Sequence, residues 1–135
     1  AIALIGDAEC DEGAIWEAIM YAAQQNLNNL VCIIDRNRLS VTQVIESEVL
    51  FGDFEAKMNL FQWDCHVIDG HNYNEIFEAF DKATVANRPT MILANTIKGK
   101  GVSFMENDVK WHHTMPSENE IKIAREELGI TSDNI

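Results

Sequence analysis

The sequence predicts an α/β fold, a parallel sheet with helices on both faces. Apolar runs of strand length alternate with stretches of helical periodicity along the chain. The first run is continuously apolar, as in a strand buried on both faces. The order strand, helix, strand over residues 1–35 makes a right-handed parallel crossover the natural connection.

Residues 2–5 form the first strand and end in the tight turn Gly6-Asp7-Ala8. Over residues 12–25, Ile15, Ala18, Ile19, Ala22 and Ala23 recur at helical spacing, and Glu12 suits the positive end of that helix. Residues 30–34 are a second β-rich run, closed by Asp35-Arg36-Asn37. Residues 39–52 lack a period and are expected to be a loop, whereas Phe54, Met58 and Phe61 line one side of a short helix over 54–63. A strand over 65–69, a helix over 74–87 with Ile76, Phe77, Phe80 and Ala83 inward, and a strand over 90–95 after Pro89 repeat the alternation. Residues 98–116, with Gly99, Gly101 and Pro116, form a long loop before a last helix over 118–128 and Gly129.

The 135 residues suit one α/β unit with a core large enough to fold without staples, and no repeat or linker divides them. The chain opens without Met on an apolar run that reads as an interior strand, so residues 1–135 are expected to be a segment of a longer protein. Hydrophobic residues at 47 % and charged residues at 24 % exclude disordered and collagenous classes. Ten Lys and Arg against 22 Asp and Glu, a net charge of −12, argue against nonspecific binding to nucleic acid or to an anionic membrane. No apolar run approaches the ~20 residues that span a bilayer, and no export signal is visible. Cys10, Cys32 and Cys65 are widely spaced without a CxxC pair, which favours a reducing compartment, the cytoplasm.

Ligands of such sheets bind beyond the carboxyl ends of the strands, which directs attention to the loops opened by Gly6, Asp35 and Thr96. Parallel strands would bring Asp7 and Asn37 to the same end of the sheet. A carboxylate and a side-chain amide, joined by a backbone carbonyl, form a hard oxygen shell suited to Mg²⁺ and the phosphate oxygens it carries. Taken alone, an Asp in a Gly-containing turn such as Asp7 is more often an ordinary turn residue or helix cap, and the spacing to the second strand shifts the reading toward a ligand.

The stretch Gly6-Asp7-Ala8-Glu9-Cys10-Asp11-Glu12-Gly13-Ala14-Ile15-Trp16-Glu17-Ala18 resembles the GDGxxxEGxxWEA signature of transketolases. The likeness continues through Asn29-Leu30, Asp35-Arg36-Asn37-Arg38-Leu39, Ile68-Asp69-Gly70-His71, the stretch from Thr96 to Asn107, and Trp111-His112. It covers nearly the whole chain and implies the later part of the thiamine-diphosphate-binding domain, with the fold of that domain. The resemblance implies that Asp7 and Asn37 coordinate Mg²⁺ by their side chains and Leu39 by its carbonyl, with Gly6 and Ala8 against the diphosphate. It also makes Lys98 and His112 cofactor contacts, His112 being the candidate catalytic residue. A Lys ammonium offsets phosphate charge, and a His can bond a phosphate oxygen or move protons near a reacting hydroxyl. Glu12 and Glu17 match carboxylates that link two active sites across a dimer interface, although a helix start would also favour them electrostatically. Trp16, His66, Met58 and Met105 read as packing residues, and His71 after Asp69-Gly70 reads as orienting its loop.

Ala8 stands where the signature has a third glycine, Thr42-Gln43 where many members have Asp-Gly, and His113 where the common motif has Gly. The family's upstream histidines, glycine-rich loop and pyrimidine-binding domain with its activating glutamate have no counterpart in this sequence. The resemblance therefore implies transfer of a two-carbon ketol unit from a ketose phosphate to an aldose, in a homodimer or in an assembly of two subunits that supplies the missing parts. The alternatives are a related thiamine-diphosphate enzyme acting on a specialised sugar, and a non-catalytic interaction module.

Overall fold

The structure, a computed structural model, describes residues 1–40 and 51–130. Strand β1 (Ile2–Gly6) passes through a 3₁₀ turn (Asp7–Asp11) into helix α1 (Gly13–Gln24), which returns the chain to β2 (Val31–Arg36). Helix α2 (Phe54–Leu60), β3 (Asp64–Asp69), α3 (Tyr73–Thr84) and β4 (Thr90–Asn95) follow, then a second 3₁₀ turn (Val109–His112) and α4 (Glu118–Glu127).

The four strands form one parallel sheet in the order β1-β2-β4-β3. Because successive side chains alternate faces, β2 and β4 each contribute to two cores. Cys32, Ile34, Met91 and Leu93 pack with Ile19 and Ala22 of α1 and with Phe54 and Met58 of α2. On the opposite face, Ile92, Ala94 and Ile68 pack against Ala79, Ile76 and Phe80 of α3. Helices thus cover both faces, as the sequence predicts. Burial on both faces fails for β1, whose Ile2 and Leu4 side chains remain 66 % and 69 % exposed because the α3 core reaches only β2, β4 and β3, and Phe77, expected inward, is exposed on α3.

Every expected element between residues 1–40 and 51–130 is present, with its ends shifted by tertiary partners. Strand β2 continues through Asp35 and Arg36 because β4 still pairs with them, Asp35 opposite Ala94 and Arg36 opposite Asn95. The turn expected at Gly6-Asp7-Ala8 is a full 3₁₀ segment, and Glu12 sits just before α1 as its N-cap. Helix α2 stops at Leu60 because the Trp63 amide bonds the Met58 carbonyl at 2.9 Å and turns the chain toward β3. The loop expected over residues 39–52 falls largely on residues 41–50, outside the described residues, as does Thr42-Gln43.

Trp63 lies at a junction of the larger core. It is 2 % exposed, and its indole N–H donates to the Ile19 carbonyl of α1 at 2.9 Å, so one side chain fastens the entry of β3 to α1. Cys10, Cys32 and Cys65 are buried free thiols in the same core. Burial is the first cause that pushes their thiols up, to about 12, about 11 and about 12 respectively.

Trp63→Ala should therefore cost about 3–5 kcal/mol of stability in denaturant unfolding, and Trp63→Phe, which keeps most of the ring, clearly less. Equal losses would show that the ring contributes little beyond its hydrogen bond. The Thr90 hydroxyl is buried and has no hydrogen-bond partner among the described residues. Thr90→Val, which keeps the shape and removes the unpaired hydroxyl, should raise the unfolding free energy by about 1 kcal/mol.

Candidate functional site

The carboxyl ends of β1 and β2 meet at Asp7. Its side chain is 2 % exposed and accepts two backbone hydrogen bonds, from Ala8 N–H at 2.9 Å and from Arg38 N–H at 2.6 Å. The second bond spans 31 residues of sequence and locks the loop after β2 against the turn after β1. Arg38 takes a left-handed backbone with φ 64° to present that amide. Asn37, one residue earlier, accepts the Leu39 amide on Oδ1 at 3.0 Å, and Leu39 is buried. Asp7, Asn37 and Leu39 therefore belong to one knot of chain, with Ala8 beside it.

The turn under Asp7 is braced from below. The Glu9 carboxylate accepts the Gly6 amide at 2.6 Å, and the Trp16 indole donates to the Cys10 carbonyl at 2.8 Å. Trp16 packs against the larger core with its ring 5.9 Å from that of Phe61, which makes it a packing residue as the sequence reading has it.

Burial pushes the Asp7 carboxyl above its ordinary value, and the negative charge of Asp35 adds to the rise. The Arg38 and Ala8 amides and the Arg36 charge oppose it without cancelling it. A carboxylate whose value rises on folding costs stability as pH climbs through its range. Among the described residues no three His, Cys, Asp or Glu side chains gather into a metal cluster. The donor set at this knot is instead one carboxylate plus amide and carbonyl oxygens, which fits a hard cation such as Mg²⁺ rather than zinc.

Lys98 lies at the mouth of the long loop after β4. The loop closes on itself through the Asn107 amide, which donates to the Lys98 carbonyl at 3.0 Å. Gly99 is essential to that closure: its φ is 75°, and a Cβ there would stand 2.5 Å from the Met105 carbonyl oxygen. Trp111 then anchors the second 3₁₀ turn, its indole donating to the Phe104 carbonyl at 2.8 Å with the two rings 5.2 Å apart. This turn carries His112, an element the unpatterned stretch 98–116 did not announce. His112 is exposed, and its imidazole is held below the ordinary histidine value by local desolvation first and then by the charges of His113 and Lys98. The Lys98 charge is thus close enough to act on His112. Glu12 and Glu17 are both exposed, outside the Asp7 knot.

Beside the knot, over the ends of β2, β4 and β3, lies a cavity of about 570 Å³ lined in part by Asn37, Leu39, His71, Asn95 and Lys100. The sequence points to Asp35 and Thr96 only as openers of candidate loops and gives Arg38 no role. Arg38 holds Asp7 through a backbone amide, which side-chain chemistry cannot signal, and Thr96 donates its hydroxyl to the Asp35 carboxylate across neighbouring strands.

Over residues 1–135 the chain matches the family described as transketolase, thiamine diphosphate binding domain. It is 37 % identical over 127 residues to an apulose-4-phosphate transketolase subunit of Phocaeicola vulgatus, covering 93 % of this chain and 45 % of that protein. The 6-deoxy-6-sulfo-D-fructose transketolase subunit of a Clostridium species is 40 % identical over 126 residues, covering 93 % of this chain and 46 % of that protein. The chain thus spans less than half the length of these relatives. Among solved structures, transketolase from Campylobacter jejuni superimposes with a TM-score of 0.85 at 28 % identity, over 95 % of this chain and 20 % of that one. With the sheet, the carboxyl-end knot and these likenesses in agreement along its whole length, the chain belongs to the transketolase family as a thiamine-diphosphate-binding domain.

Proposed function

We propose that the chain holds Mg²⁺ and the diphosphate of thiamine diphosphate for a transketolase reaction, the transfer of a two-carbon ketol unit from a ketose phosphate to an aldose acceptor. The observation that carries this reading is the Asp7 knot: a buried carboxylate, above its ordinary value, bonded to the amide next to Asn37 in a domain of this family. The thiazolium ring of the cofactor supplies the carbanion chemistry when it is bound.

The residues of this chain bind and orient. Asp7, Asn37 and the Leu39 carbonyl hold the metal, and Gly6 and Ala8 bring the turn after β1 against the diphosphate. Lys98 offsets phosphate charge. His112, biased toward its neutral form, bonds a phosphate oxygen or carries a proton at a reacting hydroxyl. Glu12 and Glu17, exposed and outside the knot, face the partner protomer and link its site to this one.

The reaction also needs contacts to the cofactor's pyrimidine end and to the sugar, and we assign these outside the 135 residues. We read the chain as part of a longer protein or of an assembly of two subunits, in the cytoplasm, with a pyrimidine-binding transketolase domain as its partner. Three of the relatives carry subunit designations, for apulose-4-phosphate or 6-deoxy-6-sulfo-D-fructose transketolases, which supports the two-subunit reading and makes a specialised sugar the alternative to the transketolase reaction.

Asp7→Asn, which keeps the size, removes the charge and leaves only one of the two accepting oxygens, should weaken Mg²⁺-dependent binding of thiamine diphosphate by at least about 100-fold in calorimetric titration of the assembly containing this domain. Unchanged affinity would remove Asp7 from the metal site. Lys98→Ala should weaken diphosphate binding roughly 10- to 100-fold without lowering the melting temperature. In the same variant the His112 titration followed by NMR should move up toward the ordinary histidine value, since one of the charges that depresses it is gone. A titration that stays in place would mean that the Lys98 charge does not reach His112.

A further inference from the structure

The turn that leaves β3 reaches across to the loop that leaves β4. The Gly70 amide donates to the Asn95 carbonyl at 2.8 Å, and the Ile97 amide donates to Nε2 of His71 at 2.8 Å. The approach is close enough that a Cβ on Gly70 would stand 2.5 Å from Cγ2 of Thr96. His71 is itself held: its amide donates to Asp69 Oδ1 at 2.9 Å, and the Asp69 amide donates to Glu75 Oε2 of α3 at 2.7 Å. The Asn72 side-chain amide steadies Glu75 from the other side, donating to Oε1 at 2.8 Å.

Ile97 directly precedes Lys98. Beyond Lys98 the loop is closed by the bond from Asn107 N–H to the Lys98 carbonyl and by the left-handed Gly99, and it carries α4 with it, since the Ser103 amide and hydroxyl both donate to the Glu127 carboxylate. The loop therefore behaves as one piece whose orientation relative to the sheet is set at its stem, by Thr96 on Asp35 and by Ile97 on His71.

We propose that His71 is a positioning residue, whose Nε2 fixes the stem of the loop and so directs Lys98 toward the diphosphate. The inference rests on the cofactor reading for what Lys98 meets, whereas the hydrogen bond itself does not. Accepting the Ile97 amide requires a lone pair on Nε2, so the ring proton must sit on Nδ1. Gln can offer a side-chain oxygen near the Nε2 position, and Leu cannot.

The test is a mutant cycle on the assembly containing this domain, read as affinity for thiamine diphosphate with Mg²⁺. His71→Leu should weaken binding about three- to ten-fold, the effect of one lost hydrogen bond, and His71→Gln should restore it to within about twofold of wild type. In a Lys98→Ala background His71→Leu should have no further effect, because its influence passes through Lys98. Hydrogen exchange of the peptide containing Ile97 should quicken in His71→Leu and not in His71→Gln. A full His71→Leu effect that survives in the Lys98→Ala background, or a folded His71→Leu protein with wild-type affinity, overturns the proposal. Should the wild-type assembly bind no thiamine diphosphate, the cofactor reading fails, and the His112 titration decides this one separately. A shift in His71→Leu like that in Lys98→Ala keeps His71 as the residue that places Lys98, and a titration that does not move overturns that role.

Discussion

The rest of the site depends on one buried carboxylate. Asp7 spends both of its oxygens on backbone amides, one from its own turn and one from the loop of the neighbouring strand. A side chain satisfied in this way stays buried with no ion pair among the described residues, although burial and the nearby Asp35 push its carboxyl up. The parallel sheet makes the arrangement possible, since it delivers two strand ends side by side and aimed the same way. An antiparallel pair would have placed the two turns at opposite ends of the molecule.

The same logic extends across the sheet. Each strand end is fastened to its neighbour by a polar contact that lies outside the ladder: Asp7 to Arg38 between β1 and β2, Thr96 to Asp35 between β4 and β2, and Gly70 to Asn95 between β3 and β4. These contacts turn four separate exits into one platform. The larger core beneath it, with Trp63 bonded to Ile19 and Trp16 to Cys10, supports the end that carries Asp7. Chemistry at the rim is thereby coupled to packing in the interior, through indole groups that contribute to both.

Much of the fold was legible because periodicity and punctuation are local properties. Strand β4 occupies the residues expected of it, bounded by Pro89 before and the loop after. Element ends moved where a distant partner decided them, as when pairing with β4 carries β2 through Asp35 and Arg36. The pairing of Asp7 with the segment around Asn37 was also legible, since strand order and the signature both pointed to it, and the structure brings the two together through Arg38. What the sequence did not reveal are the contacts made by backbone atoms, because an amide carries no residue-type signal. The Arg38 amide and the 3₁₀ turn under His112 belong to that class. His71 was read as orienting its own loop, and it does so through Asp69, but its reach to the neighbouring loop depends on Gly70 allowing two turns to touch.

The three thiols of the larger core carry a consequence of a different kind. With Cys10 and Cys65 pushed up to about 12 and Cys32 to about 11, the reactive thiolate is nearly absent from the folded domain at neutral pH. Peroxides, disulfides and alkylating reagents find no cysteine thiolate until the sheet and its covering helices separate. Cys10 belongs to the turn that carries Asp7, Cys32 to β2 and Cys65 to β3, so the three sample different parts of the framework. Modification of these cysteines is a clock for the opening of the domain, with one hand on the metal-binding turn and two on the sheet.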